Sequence, residues 1–499
     1  MGLFLTLLFI LTAYLGPATL WGPLADFHIE IIIAGLATLC SLPGLGKSKI
    51  FSMPQSFAVC GMLAAVFISM VFTGWLGSIP GAVMNFVPNA FTFFLIAINC
   101  RKRVHLQMVA GTLLLACLFT ITRAYMALQA GNYLSPYLIG QGVESGNIYR
   151  IRGLAFINDP NDFAQLMVSL IPCLFLAWRK DSLPRNTLLV LIPAAALVFG
   201  MYLTHSRSGM LALLVVILLG SRRKIGTIPA TIIAGLGFAG AMVLGWSGGR
   251  DVSVEAGADR LEAWSTGLEL IKTHPLFGVG FMRFTEYFYI TAHNTVVVCA
   301  AELGMFGLFW WLMFILPTIR DAYVSSADPN AVKVREQDEP MPYEAGYRER
   351  EAGYREPVAD LRWQPAGHPA PADTMASMAY RENEPLSAPA AGVPLHLTGA
   401  DDEAGEQLPA EEIRRMATLM LICVAGYLTA GWFLSRAYVM TLFIYAGMVQ
   451  VVYRMALDQG IAPPRLAISK IAKYSAVTAV ILILIVYATL RIQHLMGIH

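Results

Sequence analysis

Charge is scarce in this 499-residue chain: Asp, Glu, Lys and Arg make up 14% of it, against 56% hydrophobic residues. So few charged groups cannot cover the surface of two or three soluble domains, and lipid must therefore be the solvent. Cysteine is sparse and unpatterned. Cys40, Cys60, Cys100, Cys117, Cys173, Cys299 and Cys423 lie in or beside apolar runs without a C-x-x-C pair, which argues against a disulfide framework or a metal site and leaves them as small hydrophobes. No metal or other cofactor is expected. Around the first apolar run, Gly2 to about Leu20, a basic n-region and a small-residue cleavage site are both missing, so it is read as a retained span. A nucleic-acid-binding patch is missing too. The net charge is +2, and the basic residues form short clusters between apolar runs, where membrane topology accounts for them.

The apolar runs are numerous. They lie near 2–20, 28–45, 56–75, 81–99, 105–122, 162–178, 187–203, 208–220, 227–246, 294–317, 414–434, 437–453 and 474–490, each near the length that a bilayer requires. The expected fold is an all-α polytopic integral membrane protein with about 12–13 transmembrane helices. Lys47/Lys49, Arg101/Lys102/Arg103, Arg179/Lys180/Arg185, Arg222/Arg223/Lys224, Arg320 and Arg454/Arg465/Lys470/Lys473 fall after every second span. Short loops rich in Lys and Arg stay in the cytoplasm, so the N-terminus is expected inside and loops 124–161, 204–207 and 247–293 outside. Residues 320–412 break the pattern with a stretch rich in Glu, Pro, Ala, Asp and Arg that repeats AGYRE at Ala345–Glu349 and Ala352–Glu356. With few aliphatic residues it cannot offset its chain entropy, and it reads as a disordered cytoplasmic insert. It is either a tolerated linker or a partner-binding segment.

Unusual polar content gathers on the expected outer side. In YRIRGLAFINDPNDFA (Tyr149–Ala164), Pro160 follows a turn and Asn161 or Asp162 would cap the next helix, but capping leaves Arg150 and Arg152 unexplained. Two arginines outside suit an anionic ligand. THSRSG (Thr204–Gly209) sets Arg207 at the mouth of the bundle, either as an interfacial arginine or as an anion ligand, and His205 reads as a loop histidine. Asp259–Thr273 puts Leu261, Trp264, Leu268 and Ile271 on one helical face, away from Arg260. His293 stands at the outer entrance of a span beside a capping Asn294, where imidazole could act as a general base. Glu302 lies more than two turns inside that span, and a carboxylate there must be paired, bonded or protonated.

Together these blocks resemble the O-antigen ligase and Wzy-type polysaccharide polymerase superfamily. The resemblance is carried by RIRGLAFINDPNDFA (Arg150–Ala164), SRSG (Ser206–Gly209), Arg260, Trp264, HPLFGVG (His274–Gly280), His293-Asn294 and ELG (Glu302–Gly304) with Gly307. It implies a metal-independent glycosyltransferase of the bacterial inner membrane with a periplasmic active site, acting on an undecaprenyl-diphosphate-linked glycan donor and a glycan or lipid-linked acceptor. Arg207 and Arg260, with Arg152 as a weaker candidate, are then expected to hold the diphosphate, and His293 to activate the acceptor hydroxyl. Glu302, Asn294, Asn161 and Asp162 would support them. In domain terms, 1–122 are N-terminal spans, 123–319 the ligase/polymerase-like core and 413–499 C-terminal spans. The cytoplasmic insert 320–412, foreign to the usual core, would meet polysaccharide-assembly proteins if it binds partners at all. Polymerase is preferred by analogy over a ligase acting on lipid A core or a protein hydroxyl. A bicarbonate-like transporter is the rival, but it would call for broken helices and internal repeats, and the polar residues gather at one face instead.

Overall fold

The computed structural model describes residues 1–20, 22–24, 27, 29–143, 146–248, 258–327 and 408–495. These residues form an all-α, multi-pass membrane protein. Ten helical stretches are long and apolar enough to cross a bilayer: Ile29–Ser48, Pro54–Phe72, Leu76–Asn99, Arg103–Gln129, Pro160–Ala177, Leu183–Thr204, Thr295–Ser326, Ala410–Gly431, Met440–Asp458 and Ile468–Gln493. Gly2–Leu15 and Thr227–Val243 are apolar but shorter, and Arg207–Ile225 ends on Arg222, Arg223 and Lys224. The expected twelve or thirteen spans thus comprise these ten and three less complete ones.

Burial sorts the helices into centre and rim. Every residue of Pro160–Leu174 is buried, as is nearly all of Met440–Asp458. A helix apolar all round belongs at the centre of a bundle. At the rim, Leu36, Ile228, Leu236 and Leu484 stay exposed. In hydrocarbon such exposure costs nothing, because lipid tails are as apolar as leucine.

The basic residues between spans also cap helix ends. Arg103 donates from Nη2 to the Leu176 carbonyl at 2.6 Å and pairs with Glu412 at 2.9 Å. Arg454 donates to the Cys100 carbonyl at 2.7 Å. These guanidinium groups satisfy carbonyls that a helix leaves without partners at its C-terminus.

Three local features depart from the hydropathy reading. Helix Arg103–Gln129 runs past residue 122, and an antiparallel hairpin, Leu138–Val143 with Gly146–Ile151, then pairs Leu138 with Ile151 and Ile139 with Arg150. Its strands are short and carry glycine, so no alternation announces them. Helices Thr295–Ser326 and Ala410–Gly431 extend into both ends of the expected insert, which is therefore helical at 320–326 and 410–412. The rest of that segment, 328–407, lies outside the described residues.

The third departure is a break. Helix Thr295–Ser326 is interrupted at Gly304, whose φ is +67°. Four hydrogen bonds to the His274–Gly280 turn take up the freed backbone groups. Val279 and Gly280 N–H donate to the Ala301 and Glu302 carbonyls at 2.9 and 3.0 Å, and Met305 and Phe306 N–H donate to the Pro275 and Leu276 carbonyls at 2.8 and 3.1 Å. A Cβ on Gly304 would overlap the Leu276 carbonyl, and one on Gly278 the Glu302 carbonyl. Both positions need glycine because two backbones meet there.

Candidate active site at one end of the bundle

Five segments distant in sequence converge at the helix ends opposite the basic caps. The first is the start of helix Pro160–Leu174. Its N-cap is Asp159, whose carboxylate accepts the Asn161 N–H at 2.7 Å. This corrects the expectation that Asn161 or Asp162 caps the helix and releases both for other work. Asn161 Oδ1 accepts from Arg150 Nη2 at 3.0 Å and from the Ser206 hydroxyl at 2.9 Å. Arg150 is buried and also donates to the Thr204 carbonyl at 2.7 Å and to Gln141 Oε1 at 3.1 Å. It ties the hairpin to the turn that carries Arg207. Arg152 is engaged elsewhere: its Nε donates to the Pro136 carbonyl at 3.1 Å, closing the base of the hairpin.

Ser206 caps helix Arg207–Ile225 by accepting the Gly209 N–H at 3.2 Å. A capping hydroxyl satisfies one of the four free N–H groups at a helix start. Arg207 therefore occupies the first turn of that helix, half-buried. His205 is held by the Trp246 carbonyl, 3.0 Å from Nδ1, in keeping with a loop histidine.

His293 has a left-handed backbone, φ +47°, a conformation uncommon outside glycine and one that must be held by its surroundings. Three elements hold it. Its N–H donates to Ser435 Oγ at 2.9 Å, and the preceding Ala292 carbonyl accepts from Trp264 Nε1 at 2.7 Å. Asn294 Oδ1 caps the following helix through Val296 and Val297 N–H at 2.9 and 3.1 Å. The next residue, Thr295, donates from Oγ1 to the Gly431 and Leu434 carbonyls, both at 2.7 Å. Trp264 and Ile271 of helix Ala258–Thr273 are buried as its pattern predicts, and half-buried Arg260, one turn before Trp264, flanks the same face rather than standing away from it.

The charges are mutually felt. Burial pushes Arg150 down to about 10, with Asp159 opposing and Arg207 and Arg260 reinforcing the shift. Burial and then Arg207 lower Arg260. Burial, followed by Arg260, lowers His293 to about 4, so its imidazole is neutral at physiological pH. Arg436 belongs to the same group: its charge acts on His293, and its Nε–H donates to Asp162 Oδ1 at 2.6 Å while Nη2 pairs with Oδ2. Asp159 acts on Arg150, Arg260 and Arg436, Asp162 pairs with Arg436, and Arg207 acts on Arg150 and Arg260.

Glu302 stands apart from this cluster. It is buried, and its Oε1 accepts the Phe284 N–H at 3.3 Å. Its partner is backbone, so it anchors the loop between the His274–Gly280 turn and His293. Arg436, Ser435 and Asp159 were not singled out from sequence. A signal existed for Arg436: it occupies the gap between the apolar runs 414–434 and 437–453, on the side expected outside, and its Ser-Arg pair repeats that of Ser206-Arg207.

Comparison with protein families gives a match to the O-antigen ligase family over residues 192–312, a stretch containing Arg207, Arg260, His293 and Glu302. A comparison with curated proteins gave no match. The matched stretch holds the Arg207 turn, the Arg260 helix, the His293 turn and the first part of the helix broken at Gly304, so this multi-pass membrane protein carries, over residues 192–312, a segment similar to the O-antigen ligase family.

Proposed function

We propose that this protein polymerises lipid-linked saccharides at the periplasmic face of the bacterial inner membrane. The family supports glycosyl transfer in general. The observation that carries the finer reading is the convergence of Arg207 and Arg260 beside a neutral His293 at one end of the bundle. In this reading the two guanidinium groups bind the diphosphate that links the donor glycan to undecaprenol. Charge-assisted hydrogen bonds from arginine to phosphate are strong and directional, and they strengthen as charge develops on the leaving group. The acceptor hydroxyl attacks the anomeric carbon while His293 takes its proton. The bond from that carbon to the diphosphate oxygen breaks, and undecaprenyl diphosphate departs. A single displacement inverts the anomeric centre. Arg150, bonded to Thr204, Gln141 and Asn161, positions the Arg207 turn, and Arg152 serves the hairpin.

An apolar groove supports a polyprenyl donor. It begins at Thr295 and Trp432, beside the His293 turn, and is lined further in by Trp311, Leu312, Ile315 and Leu482. Burying a prenyl chain there would contribute about 0.8 kcal/mol for each buried methylene-sized group.

The test is complementation of a strain lacking its surface polysaccharide, with glycan length read on a gel. His293→Ala and Arg207→Ala are expected to abolish product at normal membrane levels of protein. Full activity in His293→Ala would sink the base assignment. Single-repeat glycans in the null strain mark a missing polymerase, whereas long carrier-linked chains that stay unattached mark a missing ligase.

A further inference from the structure

The loop between the His274–Gly280 turn and His293 carries a cluster that the transfer chemistry does not use. The Arg283 guanidinium lies over the ring of Trp75, 3.2 Å from its centre. It is fixed there by both oxygens of Glu286, at 2.7 and 2.8 Å from Nη1. Next along the chain, Tyr287 and Tyr289 are exposed, Tyr289 by 67%, and Trp75 itself is 42% exposed. Tyr289 is within electrostatic reach of Asp259, the residue preceding Arg260. Trp75, Arg283 and Glu286 thus form one contact cluster, a ledge, and the exposed Tyr287 and Tyr289 follow it along the same loop toward the helix that bears Arg260.

An amphipathic belt of aromatic rings at the membrane surface is the plainer account of exposed Trp and Tyr. It does not explain what lies beneath. A belt needs rings at the right depth, not a guanidinium held over one of them. Nor does it need Glu302, a carboxylate buried in a spanning helix, to hold the Phe284 N–H and so set the backbone that presents Arg283. That anchoring fixes the ledge in one geometry.

We propose that this ledge binds the acceptor saccharide. A pyranose ring presents a face of C–H groups and a rim of hydroxyls. Exposed rings of Trp75, Tyr287 and Tyr289 suit the face, while the Glu286 carboxylate, half exposed, and the tyrosine hydroxyls suit the rim. The inference rests on the glycosyl-transfer reading for its ligand class, since a chain extended at the site must hold an acceptor next to the donor diphosphate.

The test uses the full chain in lipid nanodiscs. The probe is a two- or three-repeat oligosaccharide released by mild acid from the host's own surface polysaccharide, with binding followed by saturation-transfer NMR. Trp75→Ala and Tyr289→Ala are expected to weaken binding about tenfold or more, and Trp75→Phe to stay within about threefold of the parent. In cells, Trp75→Ala should shorten the glycan rather than abolish it. Unchanged binding in Trp75→Ala and Tyr289→Ala overturns the ledge, as does a loss confined to the amount of inserted protein, which is the signature of a membrane anchor. Glycan synthesis by His293→Ala would instead overturn the catalytic reading, and oligosaccharide binding can be measured whatever that outcome.

Discussion

At the residue scale, His293 beside Arg260 and Asp162 paired with Arg436 separate chemistry from support. His293 is lowered to about 4, first by burial and then by Arg260. A bound diphosphate would offset the arginine field and raise it, because a nearby negative charge favours imidazolium. The base must be neutral to act, so activity falls as pH drops through its value. The acid limb of kcat/KM, which reports the free enzyme, should therefore lie near pH 4, and that of kcat at higher pH; coincident limbs would remove His293 as the titrating group. The Asp162–Arg436 pair is a different matter. Asp162 is buried, so Arg436→Met would strand a charge and should cost about 3–5 kcal/mol of stability, whereas the double variant Asp162→Asn/Arg436→Met should recover most of it. Thermal melting in detergent checks this, and additive losses would mean that the two do not act as a pair. Arg207 and Arg260 enter through the family resemblance, and their nearness to each other follows only from the fold. Arg150 was legible as unusual but not as structural, since its partner Thr204 lies 54 positions away.

At the scale of elements, the spans were readable because lipid enforces long apolar runs, and the outer face of helix Ala258–Thr273 because its period is helical. The break at Gly304 was not. ELG followed by Gly307 reads as an ordinary stretch of helix until the His274–Gly280 turn, more than twenty positions earlier, is seen to supply its missing hydrogen bonds. The hairpin escaped because its strands are short and carry glycine; Tyr149 in it stacks on Tyr133 outside it, ring centres 3.9 Å apart. The break also gives Glu302 a purpose, and two variants probe it. Gly304→Ala would press a methyl into the Leu276 carbonyl and add left-handed strain of about 1–3 kcal/mol, displacing the turn. Glu302→Gln keeps an oxygen that can accept the Phe284 N–H, whereas Glu302→Ala leaves that group without its partner. Glycan synthesis and melting temperature are expected to survive in Glu302→Gln and to fall together in Gly304→Ala and Glu302→Ala. Normal melting with lost synthesis in Glu302→Gln would assign the carboxylate a direct role in the chemistry.

Over the whole molecule, two lines of argument meet at one surface. Counting Lys and Arg expects the loops at 124–161, 204–207 and 247–293 to be outside, and the folded chain brings segments from these same loops together around His293. The caps formed by Arg103 and Arg454 occupy the opposite helix ends. Each line is independent, because hydrogen bonding knows nothing of which side is the cytoplasm. Orientation itself follows only from the charge bias, and it can be measured directly. Leu134 is 98% exposed on the His293 side, and Arg465 lies on the other. In a cysteine-free background, Leu134→Cys should react with a membrane-impermeant maleimide in intact spheroplasts, while Arg465→Cys should react only after the membrane is opened. The reverse pattern would turn the site towards the cytoplasm, where a periplasmic acceptor could not reach it, and the proposed polymerisation would fall even if His293 and both arginines proved essential.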